Sequence, residues 1–165
     1  MTGRLDRDTE ALGRREAANA AGAAHDLEAW ILEHTRPEGG QRVLDLGCGR
    51  GKQVFAVAPR VAPGGSVLGV DISGPAVAEV RRRAQAEGLD HVTAIELHLD
   101  ACCQDLAGQR FDLLLSAYAL YYATDVVGLI RGLRDLLAPG GQAFFCGYGA
   151  GTNREMVDLV NAAGA

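Results

Sequence analysis

The order of apolar patterns along the chain predicts a doubly wound α/β domain, a mostly parallel sheet with helices on both faces. Three observations carry this. Short apolar runs bounded by glycine or turn residues alternate with longer segments of helical period. Strands joined through helices in this way close as right-handed crossovers, so neighbouring strands run parallel. The 165 residues, 48% hydrophobic and 22% charged, also suffice for one core without disulfide or metal support.

Residues 5–36 read as two helices. The second is marked by Leu27, Trp30 and Ile31 at i, i+3 and i+4 and ends near Thr35, while the alanine-rich stretch 17–24 is a helix former rather than a linker. Pro37-Glu38-Gly39-Gly40 breaks the helix, and Arg42-Val43-Leu44-Asp45-Leu46 is a buried first strand. The expected division is therefore an N-terminal helical cap segment over 1–36 and the α/β domain over 37–165.

A helix near 52–60, a strand at 66–70, a helix at 75–86 and a strand at 92–97 follow, with further strands at 111–116 and 142–146. Between those last two, Val126, Leu129, Ile130, Leu133, Leu136 and Leu137 recur with a 3.6 period, and Pro139-Gly140-Gly141 ends that helix. Thr152 and Glu155 have capping-box spacing, which predicts a last helix over 153–163. The strand at 142–146 is then a sheet edge. An uncovered edge invites pairing, so a homodimer through the C-terminal sheet edge is expected.

Composition removes several functions. With 16 basic against 21 acidic residues the net charge is −5, which offers a phosphate backbone no positive field, so nucleic acid is not the expected partner. Fifteen of the 16 cations are arginine, a bias of GC-rich bacterial genomes. Cys48, Cys102, Cys103 and Cys146 form no zinc-type spacing, so no metal is expected. The start of the chain is charged and carries no apolar leader core, and the longest apolar run, 113–123, falls short of the roughly 18–20 residues that span a bilayer. A cytoplasmic protein without membrane partners is expected.

The chemistry concentrates where the first strand runs into Gly47-Cys48-Gly49-Arg50-Gly51-Lys52. Glycines at 47, 49 and 51 permit positive φ and close approach of a ligand to the main chain. A phosphate-binding P-loop would need glycine where Leu46 stands and Ser or Thr where Gln53 stands, so an NTPase is excluded. The dinucleotide fingerprint G-x-G-x-x-G would need glycine at Lys52 and survives only in part. The pattern D-x-G-x-G-x-G is met by Asp45, Gly47, Gly49 and Gly51, with Asp71 ending the next strand.

On these residues the chain resembles the class I, Rossmann-like S-adenosylmethionine-dependent methyltransferases. The resemblance covers about residues 37–147 and implies the strand order 3-2-1-4-5. It implies that Asp45 and the loop Gly47, Cys48, Gly49 hold the methionine part of S-adenosylmethionine, and that Asp71, followed by Ile72, takes the ribose hydroxyls. Leu99-Asp100-Ala101 looks like the family's segment after strand three, which implies that Asp100 accepts from the adenine amino group, with Ala101 beside it. Phe111 to Ser116 looks like the fourth strand and Leu136 to Gly141 the turn before the fifth. Family members usually finish with an antiparallel β6/β7 hairpin, and that hairpin is missing from the pattern.

Open α/β sheets bind ligands beyond their C-terminal strand ends, where Asp45, Asp71, Asp100 and Ser116 all fall. A ribose diol suits a carboxylate acceptor, and a cofactor without phosphate needs no arginine clamp. Tyr118, Tyr121 and Tyr122 follow strand four and are candidates for a wall whose aromatic faces receive the cationic methyl group. With His25 of the helical segment they complete the list of candidate catalytic residues, none of them a clear general base. The Asn/Asp-Pro-Pro-Tyr/Phe loop of amino-directed DNA or glutamine methylation and the Pro-Cys of cytosine-C5 enzymes are absent, which favours methyl transfer to a small-molecule acceptor. A catalytically silent cofactor-binding or interaction module, as a fragment of a larger enzyme, and an NAD-dependent oxidoreductase are the alternatives.

Overall fold

Residues 26–147 are described by the structure, a computed structural model. The first expected helix, His25, the capping box at Thr152 and the helix over 153–163 lie outside the described residues. Asp26 is a helix cap. Its carboxylate accepts from the N–H groups of Glu28 and Ala29 and so satisfies donors that the first turn of α1 (Leu27–Thr35) leaves free. Arg36, at φ 45°, ends that helix in the left-handed conformation.

The expected alternation follows. Strand β1 (Arg42–Leu46) leads to α2 (Lys52–Val61), β2 (Ser66–Asp71), α3 (Gly74–Ala86) and β3 (Val92–Glu96). A 3-10 turn, Leu99–Ala101, and the single-turn α4 (Cys102–Asp105) then precede β4 (Phe111–Ala117). Another 3-10 turn, Leu120–Tyr122, leads to α5 (Val126–Leu133), capped by the Asp125 carboxylate, and on to β5 (Leu137–Cys146).

All four strand pairings are parallel and the sheet order is β3-β2-β1-β4-β5. From β1 the chain first builds outward through β2 and β3, then returns to the other side of β1 for β4 and β5. That reversal parts the loops after β1 and β4 and opens a crevice at the C-terminal strand ends. β1 is the centre of the sheet, and its last four residues are all buried.

Alternation along β1 splits the core into two layers. Val43, Val67, Ala94, Leu113 and Leu115 face α1, α2 and α3 through Ile31, Val54, Val57, Val77 and Val80. Leu44, Leu46, Val70 and Leu114 face α4 and α5 through Cys102, Leu129 and Leu133.

One expectation is corrected at the end of the sheet. The helical period was expected to run through Leu136 and Leu137, but α5 stops at Leu133, the 3-10 turn Arg134–Leu136 follows, and Leu137 already belongs to β5. Leu137 pairs with Phe111 and Gln142 with Leu113, so the residues between them bulge out of the ladder, turned by Gly140 at φ 78°. Leu136 and Leu137 continue the apolar period because both meet the core, one from a turn and one from a strand. Among the described residues no helix is long and apolar enough to cross a membrane.

Candidate functional site

The site grows out of Asp45. Because β1 is buried on both faces, the period of two that points Val43 into one layer points Asp45 into the same layer at the strand's C-terminal end. The residue is 1% exposed, and its Oδ2 has no hydrogen-bond partner. Burial, and secondarily the neighbouring Asp71, push its carboxyl up to about 7. A carboxylate placed so is costly unless a cation or donor meets it.

The loop that follows is shaped by its glycines. Gly47, Gly49 and Gly51 all have positive φ, at 74°, 52° and 86°. A Cβ on Gly47 would collide with the methyl group of Ala119, and one on Gly51 with Phe55 and Val80. The absence of side chains therefore serves internal packing as well as ligand approach. Gly47 and Cys48 both donate their N–H to Val70 O, which pins the loop to the end of β2.

Asp71 ends β2 and braces the loop from the other side. Its Oδ2 accepts from Gly49 N at 2.8 Å and its Oδ1 from Ser73 N at 2.8 Å. Each carboxylate oxygen keeps a second lone pair, so the group stays competent for a diol. Arg50, at the crest of the loop, forks onto Glu79 of α3 at 2.6 and 2.7 Å, and Lys52 pairs with Glu28 of α1 at 2.6 Å. Through these pairs the loop is tied to two helices.

The other expected positions divide. Cys48 is buried against the place where Gly69 lacks a side chain, and Ile72 and Ala101 are half-buried beside Asp71 and Asp100 in sequence. Ser116 is buried and donates its hydroxyl to Leu46 O at 2.8 Å, binding β4 to β1 at their ends. Asp100 is exposed, and both of its oxygens accept from Thr124, from the amide at 2.9 Å and from the hydroxyl at 2.6 Å. That grip holds its carboxyl below the usual range.

Tyr118, Tyr121 and Tyr122 are 37%, 45% and 39% exposed, so none is packed away beneath the loop. Tyr118 adopts φ 57°, a conformation that costs a bulky side chain energy, and its N–H is bound by Cys146 O. Tyr121 and Tyr122 lie with ring centroids 4.5 Å apart. Among the described residues no cluster of His, Cys, Asp and Glu could hold a metal ion.

Sequence reasoning missed Thr124, Ala119 and Glu79. No local signal marks them, because each acts on a residue 24 to 72 positions away along the chain.

The fold is that of the class I, Rossmann-like S-adenosylmethionine-dependent methyltransferase family. The chain belongs to the methyltransferase-domain family, whose model matches residues 37–160. It is similar to the aklanonic acid methyltransferase of Streptomyces sp. (strain C5), with 33% identity over 70% of this chain and 51% of that protein. The ubiquinone biosynthesis O-methyltransferase of Acinetobacter baumannii (strain AYE) is 30% identical over 70% of this chain and 47% of its own length. Among solved structures, the SAM-dependent methyltransferase of Thiobacillus denitrificans in complex with S-adenosyl-L-homocysteine aligns with a TM-score of 0.60 and 27% identity, covering 80% of this chain and 54% of that one. The chain spans about half the length of the curated relatives it matches.

Proposed function

We propose that this chain binds S-adenosylmethionine across the C-terminal ends of β1, β2 and β3 and serves methyl transfer to a small-molecule acceptor by in-line displacement. The observation that carries the reading is the buried, unpartnered Oδ2 of Asp45 at the head of a glycine loop. An acceptor left in that state fits a ligand with a cationic ammonium group and no phosphate. Gly47, Cys48 and Gly49 would line the methionine part, Asp71 with Ile72 the ribose, Asp100 with Ala101 the adenine, and Ser116, at the end of β4 beside β1, the methionine end of the cleft.

The cofactor's sulfonium supplies the leaving group, so the chain's own task is to align and to exclude water. Tyr118, Tyr121 and Tyr122 would wall the acceptor, and His25 is retained as a further candidate. The division at residue 36 belongs to the same proposal, with the segment containing α1 capping the α/β domain. The names of the curated relatives support a small-molecule acceptor. Single-lysine, arginine-rich composition and four free thiols support a bacterial cytoplasmic setting.

Isothermal titration with S-adenosyl-L-homocysteine and, separately, NAD tests the reading. Binding of the nucleoside alone is expected, and binding of NAD alone would overturn it in favour of an oxidoreductase. Because the chain spans about half of its relatives, a silent cofactor-binding module is the second reading. Methyl transfer to a panel of phenols and carboxylic acids separates the two. Among the described residues β5 has no partner on its outer edge, and Phe144 and Phe145 lie there half-buried. We propose that a second copy pairs along it; a monomer at high concentration in sedimentation equilibrium would refute this.

A further inference from the structure

The loop between β4 and α5 carries the three tyrosines, and it is fastened at three points along its length. At its start, Tyr118 N donates to Cys146 O at 2.9 Å. One residue on, the Ala119 methyl group occupies the space where Gly47 lacks a side chain. At its end, Thr124 donates both its amide and its hydroxyl to Asp100. The second and third fastenings reach the two loops that flank the proposed cofactor cleft, the glycine loop after β1 and the turn after β3.

The third fastening is chemically specific. A carboxylate has two lone pairs on each oxygen, and Thr124 takes one from each, which fixes the plane of the group and leaves one outward acceptor position per oxygen. His98 completes the setting. Its Nδ1 accepts from Asp100 N at 3.2 Å and lies 3.5 Å from Asp100 Oδ2. An exposed aspartate without such partners would rotate freely in water and pay to stop.

Resting on the cofactor reading above, we propose that Thr124 is a positioning residue that makes the cleft selective for 6-amino over 6-oxo purines. By gripping both oxygens of Asp100 it aims a pure acceptor at the purine 6-position. An amino group there donates to it, whereas a carbonyl group meets a fixed negative charge. The same grip ties purine recognition to the tyrosine-bearing wall, so the two ends of the cleft are held in register.

The test is titration of the unaltered chain, Thr124→Val and Thr124→Ser with S-adenosyl-L-homocysteine and with its deaminated analogue S-inosyl-L-homocysteine. The unaltered chain is expected to favour the adenosyl ligand strongly. Thr124→Val should weaken the adenosyl ligand about tenfold and leave the inosyl ligand within about twofold, because only the amino group uses the aimed acceptor. Thr124→Ser, which keeps the hydroxyl donor, should restore the preference. Thr124 is exposed, so the fold is expected intact, and the melting temperature checks it.

Equal weakening of both ligands by Thr124→Val, or no weakening of either, would overturn the proposal. If the unaltered chain binds both ligands equally, the positioning role fails while the cofactor reading stands. If it binds neither, the cofactor reading falls and the proposal with it.

Discussion

Asp45 and Asp100 stand along the same row of strand ends, yet the protein treats their carboxyl groups in opposite ways. Asp45 lies in the middle of the sheet, 1% exposed, with one oxygen unpartnered and its carboxyl pushed up to about 7. Asp100 lies beyond β3, exposed, with both oxygens held and its carboxyl below the usual range. The difference teaches where each group's binding energy comes from. A buried acceptor left without a partner gains most when a cation arrives, whereas an exposed one gains little unless its orientation has been set beforehand.

The largest expected effect comes from removing the buried acid. Asp45→Asn should weaken S-adenosyl-L-homocysteine by about 30-fold or more, in line with roughly 2–5 kcal/mol for truncating one side of a buried charge pair. Calorimetric titration checks it, and near-equal affinity would mean that the buried Asp45 carboxyl does not meet the ligand.

The same residue predicts a pH dependence. Its folded carboxyl titrates near 7 against an unfolded value of 3.8, so the folded state holds a proton that the unfolded state has lost between those values. The contribution of Asp45 to stability should therefore be fully present below about pH 4, fall as pH rises to about 7, and level off above it, by up to about 4 kcal/mol, against the opposite low-pH contribution of Asp100 and Glu79, whose carboxyls lie below their usual range. Urea midpoints across that range should show the slope in the unaltered chain and a flatter profile in Asp45→Asn. A cationic ligand favours the ionised form, so its affinity should rise with pH through the same window.

Next in size is the contact that joins the middle of the site to the tyrosine loop. Gly47→Ala places a methyl group against Ala119 at a backbone φ of 74° and should destabilise the domain by about 2 kcal/mol. Ala119→Gly in the same chain should recover part of that loss. No recovery in thermal melts would mean that strain alone, and not the collision, sets the cost.

Asp71 falls between the two aspartates, half-buried and bound to two backbone amides. Asp71→Ala should weaken the nucleoside by roughly 1.5–3 kcal/mol while circular dichroism stays native. The smallest effect is expected at the crest of the loop. Glu79→Gln breaks an exposed fork with Arg50 and should cost under about 1 kcal/mol in stability.

Much of this arrangement was legible beforehand. The alternation of runs predicted the elements, and the turn after Leu46 predicted a glycine loop because only glycine adopts positive φ there without cost. Asp71 was readable because a strand ends where its apolar run ends. Leu136 and Leu137 were misread because an apolar period does not distinguish a helix from a turn followed by a strand when both meet one core layer. Thr124 was not readable at all: a threonine between Ala123 and Asp125 is an ordinary loop residue until the fold brings it to Asp100.

By itself the sequence determined which residues reach the C-terminal ends of the strands. Local period, turn chemistry and strand length decide that within each segment. Only the tertiary structure decided what each of those residues meets. The left-unpartnered oxygen of Asp45, the Thr124 grip on Asp100 and the seat of Ala119 against Gly47 all arise from crossovers that juxtapose distant loops, and partner, burial and charge state follow from that juxtaposition.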